Sequence, residues 1–457
     1  MTPTWAQLVY LVCAVCFILA LKGLSGPRTA RAGNLLGAAA AVVGCAVVFF
    51  YEDLEHVPLI LGAVAIGSTG GFVGAGRVQM TQMPQMVALF NGVGGGAAAL
   101  VALLELEHMT ATEGWFDLGA TAFTIVVGSI SLSGSIVTFL KLQELMTSRP
   151  VVFPGLPVAF GAGLLGSLAL SVVTVTSPSV AGGVALGLVG LLVGVLLVLP
   201  VGGADVPIVI SLLNAFTGLT VAASGYVLGN TLLLVAGTLV GAAGTFLTKL
   251  MAAAMGRSVV NILFGALKGG STLGAGEASD RPVRSAAAED VAILLGYAAK
   301  VIVVPGYGLA VAQAQHILRE LVDELGRRGI AVDYAIHPVA GRMPGHMNVL
   351  LAEAQVPYEQ LKEMDQINGE FKQTDVVLVV GANDVVNPAA KTSPGAPIYG
   401  MPILNADEAR QVVFLKRSMR PGFAGIENEL LFDPRTTLLF GDAKDTLGKL
   451  LSAVKAL

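Results

Sequence analysis

Residues 300–329 read KVIVVPGYGLAVAQAQHILRELVDELGRRG, and this stretch decides the fold of the C-terminal half. The apolar run 300–305 enters a glycine turn, and apolar residues then recur at helical spacing. The turn has the form GxGxxA, in which Gly306 and Gly308 allow close backbone approach and Ala312 occupies the third small position. A strand, such a turn and a helix, in that order, are typical of a nucleotide-binding α/β unit.

The same alternation of apolar runs and helical patterns continues to the C-terminus. The candidate strands are KVIVVPG, AVDYAIHP, DVVLVVGAND, MPILN, QVVFLKRS and TTLLFGDA. Nearly continuous apolar character is expected of strands that are covered on both faces. Residues 291–457 are therefore predicted to form a Rossmann-like domain with a doubly wound parallel sheet of about six strands.

The N-terminal half has the composition of a membrane protein. The chain of 457 residues is 54% hydrophobic, and only 18 of its 58 charged residues lie in residues 1–270. Runs long enough to cross a hydrocarbon core of ~30 Å occupy residues 4–22, 33–50, 57–76, 84–104, 115–140, 152–174, 181–200, 206–228 and 231–254. These runs predict a membrane all-α bundle of about nine transmembrane helices in residues 1–262, followed by a flexible Gly- and Ser-rich linker at 263–290.

Loop charges predict the orientation of this bundle. The connections KGLSGPRTARAG, GRVQ and KLQELMTSRP are basic, whereas the alternating connections YEDLEH and ELEHMTATEGWFD are acidic. Under the positive-inside rule the N-terminus lies outside and the α/β domain lies in the cytoplasm. The net charge of −4 argues against a nucleic-acid partner. The three cysteines lie in apolar runs, and no metal site is predicted.

Polar residues cluster at the predicted carboxyl ends of the strands, where ligands bind in such sheets. The acid that would bind a ribose 2′-hydroxyl is missing after the second run, which is followed instead by Arg342. Lys416, Arg417 and Ser418 suit a 2′-phosphate and favour NADP over NAD, although a solvated basic edge is the alternative. Asp384 suits the nicotinamide side of a nucleotide, and a helix N-cap is its alternative.

Three amides, Asn91, Asn214 and Asn230, lie inside or at the edge of predicted spans. Polar side chains at such positions mark an ion or proton path, or they join helices by hydrogen bonds. No Asp, Glu, Lys, Arg or His lies centrally in any predicted span. This chain alone therefore offers no titratable group at mid-membrane to carry a proton.

Several motifs together resemble a known family. They are MTQMPQMVALFNG, VIVVPGYGLAVAQAQ, IHPVAGRMPGHMNVLLAEA, LVVGANDVVNPAA, GMPIL, VFLKRSM and LLFGDAK. They are similar to the beta subunit of proton-translocating NAD(P)+ transhydrogenase, essentially from end to end. The resemblance implies an oxidoreductase and translocase of the bacterial inner membrane. In that heteromeric complex, hydride passes from NADH on an alpha subunit to NADP+ on the beta subunit while a proton crosses the membrane.

The resemblance also implies site residues. Asp384 would be the catalytic carboxylate, tied to nicotinamide binding and proton coupling, and residues 387–402 would form a lid. The proton path would include Asn91, Asn214, Asp205 and Asn230. NADP(H) would be bound by Gly306, Tyr307, Gly308, Leu309, Ala310, Val311, Ala312, Val339, Ala340, Gly341, Arg342, Gly381, Ala382, Asn383, Asp384, Lys416, Arg417, Ser418, Gly441 and Asp442.

One position departs from the family pattern. Many members carry a histidine, the presumed proton carrier, where this chain has Asn91, and an asparagine does not titrate in the physiological range. We therefore expect the proton-carrying group to come from a partner helix, as in members whose alpha subunit is split into two chains. The family further implies a dimer of alpha–beta units.

A different class of protein also joins a membrane bundle to a Rossmann domain. It comprises channels and transporters whose NAD(P)-sensing domain regulates transport without chemistry. The spans contain no segment resembling a selectivity filter, and the LKRS and GAND motifs match the NADP site of the enzyme family. The sequence therefore favours the enzyme.

Overall fold

A computed structural model describes most of the chain. The described residues are 3–51, 54–79, 82–110, 114–143, 145–147, 151–202, 205–254, 258–264, 281–341, 345–394, 396, 398–422 and 424–457. They divide into two compact units, one made of residues 1–201 and 208–248 and the other of residues 202–207 and 249–457. Each unit is described by itself below.

In the described ranges, nine helices are long and apolar enough to cross a membrane. They are α1 (Thr4–Leu24), α2 (Pro27–Val47), α3 (Val57–Arg77), α4 (Met83–His108), α5 (Trp115–Leu142), α6 (Leu156–Thr176), α7 (Val180–Val198), α8 (Val206–Val227) and α9 (Thr231–Ala254). The number confirms the prediction. The main difference is in the helix ends: α2 begins at Pro27, before the predicted start at residue 33, and α4 continues to His108, past the predicted end at residue 104.

Small residues bring the central helices of this unit together. A Cβ added to Gly95 of α4 would lie 2.9 Å from the Cβ of Ser131 in α5, and one added to Gly190 of α7 would lie 2.8 Å from the carbonyl oxygen of Val126. Close packing of helix backbones is a main contribution to helix association in lipid. Lipid tails are as apolar as the helices, so no hydrophobic effect drives the helices together. By contrast, α3 has no buried residue.

The second unit contains a six-stranded, all-parallel sheet with helices, as predicted. Its strands are β1 (Lys300–Pro305), β2 (Ala331–Ile336), β3 (Leu361–Glu363), β4 (Val376–Val380), β5 (Gln411–Lys416) and β6 (Thr436–Phe440). The strand order is β3-β2-β1-β4-β5-β6. The helices are α10 (Val259–Phe264), α11 (Ala288–Gly296), α12 (Tyr307–Val311), α13 (Gln315–Arg327), α14 (His346–Glu353), α15 (Met364–Ile367), α16 (Ala389–Thr392) and α17 (Ala443–Ala456). Separate apolar cores include alternate residues of β1, namely Val301 and Val303 in one and Ile302 and Val304 in the other.

One predicted strand is wrong. MPILN, residues 401–405, forms no strand, although Ile403 and Leu404 are buried. The Leu404 N–H donates to the Val385 carbonyl, so the segment packs on the loop after β4 without joining the sheet. The sixth strand is instead β3, whose three residues Leu361–Glu363 lie at an edge and form no apolar run that a hydropathy pattern could detect.

The helical pattern after the glycine turn is also interrupted. The short helix α12 ends at Val311, and α13 begins at Gln315. Between them Gln313 adopts a left-handed conformation with φ of 49°. The Ala314 N–H donates to the Leu309 carbonyl at 3.2 Å, which satisfies an end carbonyl of α12 in the manner of a left-handed C-cap.

The predicted linker falls largely on residues 265–280, which lie outside the described part of the chain. Its last ten residues, 281–290, lie against the sheet. The Ala286 N–H donates to the Leu438 carbonyl and the Leu438 N–H donates to the Arg284 carbonyl, so this segment pairs with β6. Helix α11 then begins at Ala288.

Candidate functional site

The strand order places a crevice between β1 and β4. Chain connections run in opposite directions from these two strands, and ligands bind at such switch points. The Gly308 N–H donates to the Gly381 carbonyl at 3.0 Å. A Cβ on Gly308 would lie 2.7 Å from the Gly381 Cα, so glycine at 308 is required by the contact between the two loops. This contact forms the floor of the predicted site.

A cleft of about 520 Å³ opens beside this contact. Its volume lies within the range of small-molecule and cofactor sites, ~300–1,000 Å³. The lining residues come from the loops after β1, β4, β5 and β6. They are Gly308, Val311, Ala312, Gly381, Ala382, Asn383, Leu415, Lys416, Arg417, Ser418, Arg420, Pro421, Gly422, Gly441, Asp442 and Ala443. Four separated sequence motifs therefore meet at one cavity.

The cationic side of the cleft is formed by the end of β5 and the loop after it. The Lys416 ammonium donates to the Asn383 Oδ1 at 3.1 Å and to the Arg420 carbonyl at 3.3 Å. Burial lowers the pKa of Lys416, and the carboxylate of Asp384 opposes this effect. Arg417, Ser418 and Arg420 are exposed along the same edge. Two further cations and a hydroxyl thus accompany a lysine that is partly withdrawn from water.

Asp384 is held by the loop that follows β5 and by its own neighbour. Its Oδ2 accepts a hydrogen bond from the Ala424 N–H at 3.0 Å, and its Oδ1 accepts one from the Asn383 amide at 3.0 Å. A Cβ on Gly422 would lie 2.5 Å from the Asp384 Oδ1, so glycine is needed there. Asp384 opens the short 3₁₀ turn 384–386, and the helix N-cap alternative does not describe its contacts.

Other predicted binding residues differ in what they expose. The side chains of Leu309 and Ala310 belong to the apolar core, so only their backbone is available to a ligand. Asp442 lines the cleft and also caps α17, since its Oδ1 accepts from the Lys444 N–H at 2.9 Å. Gly306 donates its N–H to the Val380 carbonyl.

The loop after β2 lies beside α14, and its residues are not among those that line the cleft. A Cβ on Gly341, whose φ is 111°, would lie 2.5 Å from the His346 Nδ1. The ring of His346 is 6.1 Å from that of Tyr307. Val339 and Ala340 belong to the same loop, and Arg342 lies outside the described residues. The loop therefore lies near Tyr307, in the first turn of the site, with His346 between them.

Sequence reasoning missed the role of His337. The side chain is buried, and burial lowers its pKa. Its Nε2 is 2.8 Å from the Pro402 carbonyl oxygen, and its Nδ1 accepts from the Val339 N–H at 3.2 Å. Because a carbonyl only accepts and an amide N–H only donates, the neutral tautomer with hydrogen on Nε2 satisfies both contacts. His337 thus ties the 339–341 loop to the segment before β5.

The membrane unit contains a buried polar cluster around Asn91. The Asn91 amide donates to the hydroxyls of Ser131 at 3.3 Å and Ser135 at 3.0 Å, and Ser131 lies 2.6 Å from the hydroxyl of Thr217. These contacts join α4, α5 and α8. The Asn91 Oδ1 is buried and accepts no hydrogen bond from the described residues. Amide bonding between helices is thus observed, and one acceptor of the cluster is left over.

The other three predicted proton-path residues are placed separately. Asn214 lies on α8 one turn before Thr217 and is half-buried. Asn230 precedes α9, and its Oδ1 accepts from the Leu233 N–H at 3.1 Å, which is a capping contact. Asp205 is buried immediately before α8. A role of these residues in proton movement remains a prediction.

Lys141 was expected in a loop, but it is buried in the last turn of α5. Its ammonium donates to the carbonyls of Val198 at 3.1 Å, Leu199 at 2.6 Å and Val201 at 2.7 Å. All three ammonium hydrogens are therefore used, and the cation neutralises the carbonyl end of α7. The sequence pattern predicted a basic loop residue at a position where the structure has a lysine that caps the end of α7.

Among the residues that the structure describes, no group of three or more His, Cys, Asp or Glu residues could hold a metal ion. The polar groups at the cleft are amide, ammonium, guanidinium, hydroxyl and single carboxylate groups. This set suits a phosphorylated organic ligand.

Comparison with known proteins agrees with the geometry. A family model described as NAD(P) transhydrogenase beta subunit matches residues 6–453. Two relatives named NAD(P) transhydrogenase subunit beta, one from Rhodospirillum rubrum and one from a specified strain of that species, are each 46% identical to this chain over 463 residues. The match covers 99% of this chain and 100% of each relative. The chain therefore belongs to the NAD(P) transhydrogenase beta subunit family.

Proposed function

We propose that this chain binds NADP(H) and couples hydride exchange with NAD(H), held by an alpha subunit, to proton translocation across the bacterial inner membrane. The observation that carries this proposal is the cleft at the switch point of the sheet. Lys416, Arg417 and Ser418 meet Asn383 there, and Asn383 is bonded to the carboxylate of Asp384. The same chain contains nine helices, among the described residues, that are suited to a bilayer.

The residues present fit NADP(H). The cleft has the volume of a cofactor site, and its floor is the backbone of Gly308 and Gly381. Lys416 and Arg417 would hold the 2′-phosphate with the hydroxyl of Ser418, since guanidinium and ammonium groups bind phosphate through charge-assisted hydrogen bonds. NAD(H) lacks this phosphate, so the same residues would discriminate between the two nucleotides.

Bound NADP(H) supplies the nicotinamide that accepts or donates the hydride. The chain supplies alignment, because hydride exchange between two nicotinamides requires no protein acid or base. Asn383 links Lys416 to Asp384 by hydrogen bonds, so a displacement of Lys416 on the phosphate side of the cleft would also displace the Asp384 carboxylate. Asp384 in turn accepts a hydrogen bond from the Ala424 N–H and thereby holds the chain at that residue. These contacts would set whether the site is closed or open for exchange.

The membrane unit would provide the proton route near Asn91 and Asn214. Proton occupancy there would bias the nucleotide domain between a hydride-transferring state and a nucleotide-exchanging state, which is a ligand-biased two-state equilibrium. The buried Oδ1 of Asn91 leaves one acceptor for a donor from elsewhere, and α3 has no buried residue. Both observations support a partner helix that brings the proton-carrying group.

The partner is proposed to be an alpha subunit split into two chains, and the complex a dimer of alpha–beta units in membrane lipid. The N-terminus would lie outside and the NADP domain in the cytoplasm, as the loop charges predict. The burial of Lys141 is compatible with this orientation, since the residue lies at the same end of α5 as the basic connection.

The decisive experiment uses the full chain co-expressed with its alpha subunit or subunits and reconstituted into vesicles. Reduction of an NAD+ analogue by NADPH and acidification of the vesicle are recorded together. We expect both, with acidification abolished by a protonophore while hydride transfer continues. Hydride transfer without proton movement would remove the coupling, whereas a nucleotide-gated conductance without hydride transfer would support the sensor alternative.

A further inference from the structure

The segment that leads into the nucleotide domain, residues 281–287, is called the entry segment below. Its backbone pairs with β6, and its first residue is held by one guanidinium. The Nη1 of Arg281 donates to the Glu429 Oε2 at 2.9 Å, and its Nη2 donates to the Glu429 Oε1 at 3.2 Å and the Glu427 Oε2 at 3.2 Å. The guanidinium carbon also lies 3.8 Å from the centre of the Phe432 ring. We call this set of contacts the Arg281 clamp.

The clamp has more contacts than an ordinary surface ion pair, and they restrict the guanidinium more. Single exposed pairs stabilise little, because solvent screens them and two side chains lose freedom. Here a bidentate contact with Glu429 and a ring contact with Phe432 together fix the plane of the guanidinium. Lysine, whose ammonium is not planar, could not make both contacts in this way. The clamp therefore holds the entry segment to residues 427–432 in one orientation.

Two buried amides connect residues 427 and 428 to the loop after β4. The Asn387 Nδ2 donates to the Glu427 carbonyl at 3.0 Å, and the Asn428 Nδ2 donates to the Asn383 carbonyl at 2.9 Å. Both side chains are at most 1% exposed. Each amide oxygen is used as well, by the N–H of Ala389 at 3.1 Å and of Leu430 at 3.0 Å respectively. Amides bonded at both ends transmit a displacement because neither end can turn freely.

The series of contacts ends at the cleft. Asn383, whose carbonyl is held by Asn428, places its own side chain between Lys416 and Asp384. Asp384 also accepts from the Ala424 N–H, in the stretch of chain that runs on to Glu427. The entry segment is thus connected to the carboxylate of the site through residues 427–428 and Asn383, entirely within the second unit.

We propose that Arg281 is a positioning residue that transmits the state of the entry segment to Asp384. The inference rests on the proposed function, since it explains how an event in the membrane unit would reach the nucleotide. In the sequence, the entry segment lies between the membrane helices and the first strand. A displacement of that segment would move residues 427–428, and with them the carbonyl of Asn383.

The test uses the full chain with its alpha subunits in vesicles. The variants are Arg281→Gln, Arg281→Lys, Glu429→Gln and the double variant Arg281→Gln/Glu429→Gln. The matched control is Arg327→Gln, which removes the surface ion pair of Arg327 with Glu324 on α13. Proton movement, hydride transfer and the rate of NADPH dissociation are recorded for each.

We expect Arg281→Gln to lower the number of protons moved per hydride by roughly twofold to fivefold, the range that the free energy of an exposed ion pair allows. The NADPH dissociation rate should change by a similar factor, while Arg327→Gln should match the wild type. Arg281→Lys should recover part of the loss. The double variant should be no worse than Arg281→Gln, because both changes break the same contact.

An unchanged ratio in Arg281→Gln, or additive effects in the double variant, would overturn the proposal. So would equal losses of proton movement and hydride transfer, since these indicate a fold defect alone. If the Arg281→Gln variant does not assemble with its partners, Glu429→Gln tests the same contact, because it replaces the carboxylate that the Arg281 guanidinium binds. If the wild type moves no protons, the proposed function has failed; the clamp is then judged by NADPH dissociation, and an unchanged rate rejects it.

Discussion

The two polar sites of this chain differ in how complete they are. At the cleft, the contacts of Lys416, Asn383 and Asp384 form a closed series within one domain. Around Asn91, four side chains join three helices, but the Asn91 Oδ1 remains buried without a hydrogen bond from the described residues. The cleft is lined by residues of one unit of this chain, whereas the membrane cluster, with one buried acceptor left over, resembles one side of a site.

This difference explains which changes should matter most. A network in which each polar group is paired loses much when one member is altered, because the donor or acceptor left behind loses its partner. A cluster of hydroxyls on helices can turn back to the carbonyls of its own helix, so each change costs less. Substitutions at the cleft should therefore have larger effects than substitutions near Asn91.

The largest effect is expected for Asp384→Asn. The new amide would direct an N–H toward either the Ala424 N–H or the Asn383 amide, both of which are donors. We expect coupled hydride transfer and NADP(H) release to change together by about tenfold to a hundredfold, the cost of one unmatched donor. Rates are measured in vesicles, with Asp365→Asn on α15 as the control. Equal activity of the two variants would show that the network is not essential.

The next effect concerns discrimination between nucleotides. Removing the guanidinium in Arg417→Ala should weaken NADPH binding by about tenfold or more, the cost of a charge-assisted hydrogen bond. Binding of NADH to this chain should not weaken, because it has no 2′-phosphate. Titration calorimetry on the full chain in detergent measures both, with Lys455→Ala on α17 as the control. A parallel loss for both nucleotides would mean that Arg417 acts on the fold.

In the membrane unit, Asn91→Leu tests whether the cluster is indeed one side of a site. The change removes the donor to Ser131 and Ser135. Proton movement per hydride should fall by roughly threefold, in line with the modest free energy of hydrogen bonds between membrane helices. Ser133→Ala is the control, since Ser133 bonds to the Ser129 carbonyl of its own helix. A loss as large as that of Asp384→Asn would contradict the comparison.

The smallest effect concerns pH. Burial lowers the pKa of His337 below its ordinary value of 6.5, so the unfolded chain takes up a proton that the folded chain does not. The contribution to stability is complete above pH 6.5 and is lost as the pH falls below it, by about 1.4 kcal/mol for each unit of the pKa difference. Thermal unfolding of the complex at pH 7.5 and 5.5 measures this contribution. The shift should be smaller in His337→Gln, which cannot titrate, and an equal shift would exclude His337.

Sequence reasoning was strongest where one pattern has one physical cause. Apolar length predicts the nine helices, and nearly continuous apolar runs predict five of the six strands. It failed for β3, which is short and amphipathic, and for residues 401–405, which are apolar because they pack under a loop and not because they pair. Periodicity also could not show the break at Gln313, since a left-handed residue leaves the apolar repeat unchanged.

The cleft could be predicted in outline because strand ends gather polar residues at one edge of a parallel sheet. The linkage of Lys416, Asn383 and Asp384 could not, since it depends on which side chain turns toward which. The burial of Lys141 was hidden for the opposite reason. A lysine next to a basic loop predicts solvent, and only the position of the carbonyls at the end of α7 shows why it is buried.

Helix α3, which has no buried residue, has a consequence for how much working protein a cell contains. The other helices of this chain do little to fix this span. A copy of the chain without its partner subunits would therefore carry a helix that membrane proteases can reach. Abundance would then follow whichever subunit is scarcer. Balanced synthesis of the subunits would be a condition of survival for this chain as well as of its activity.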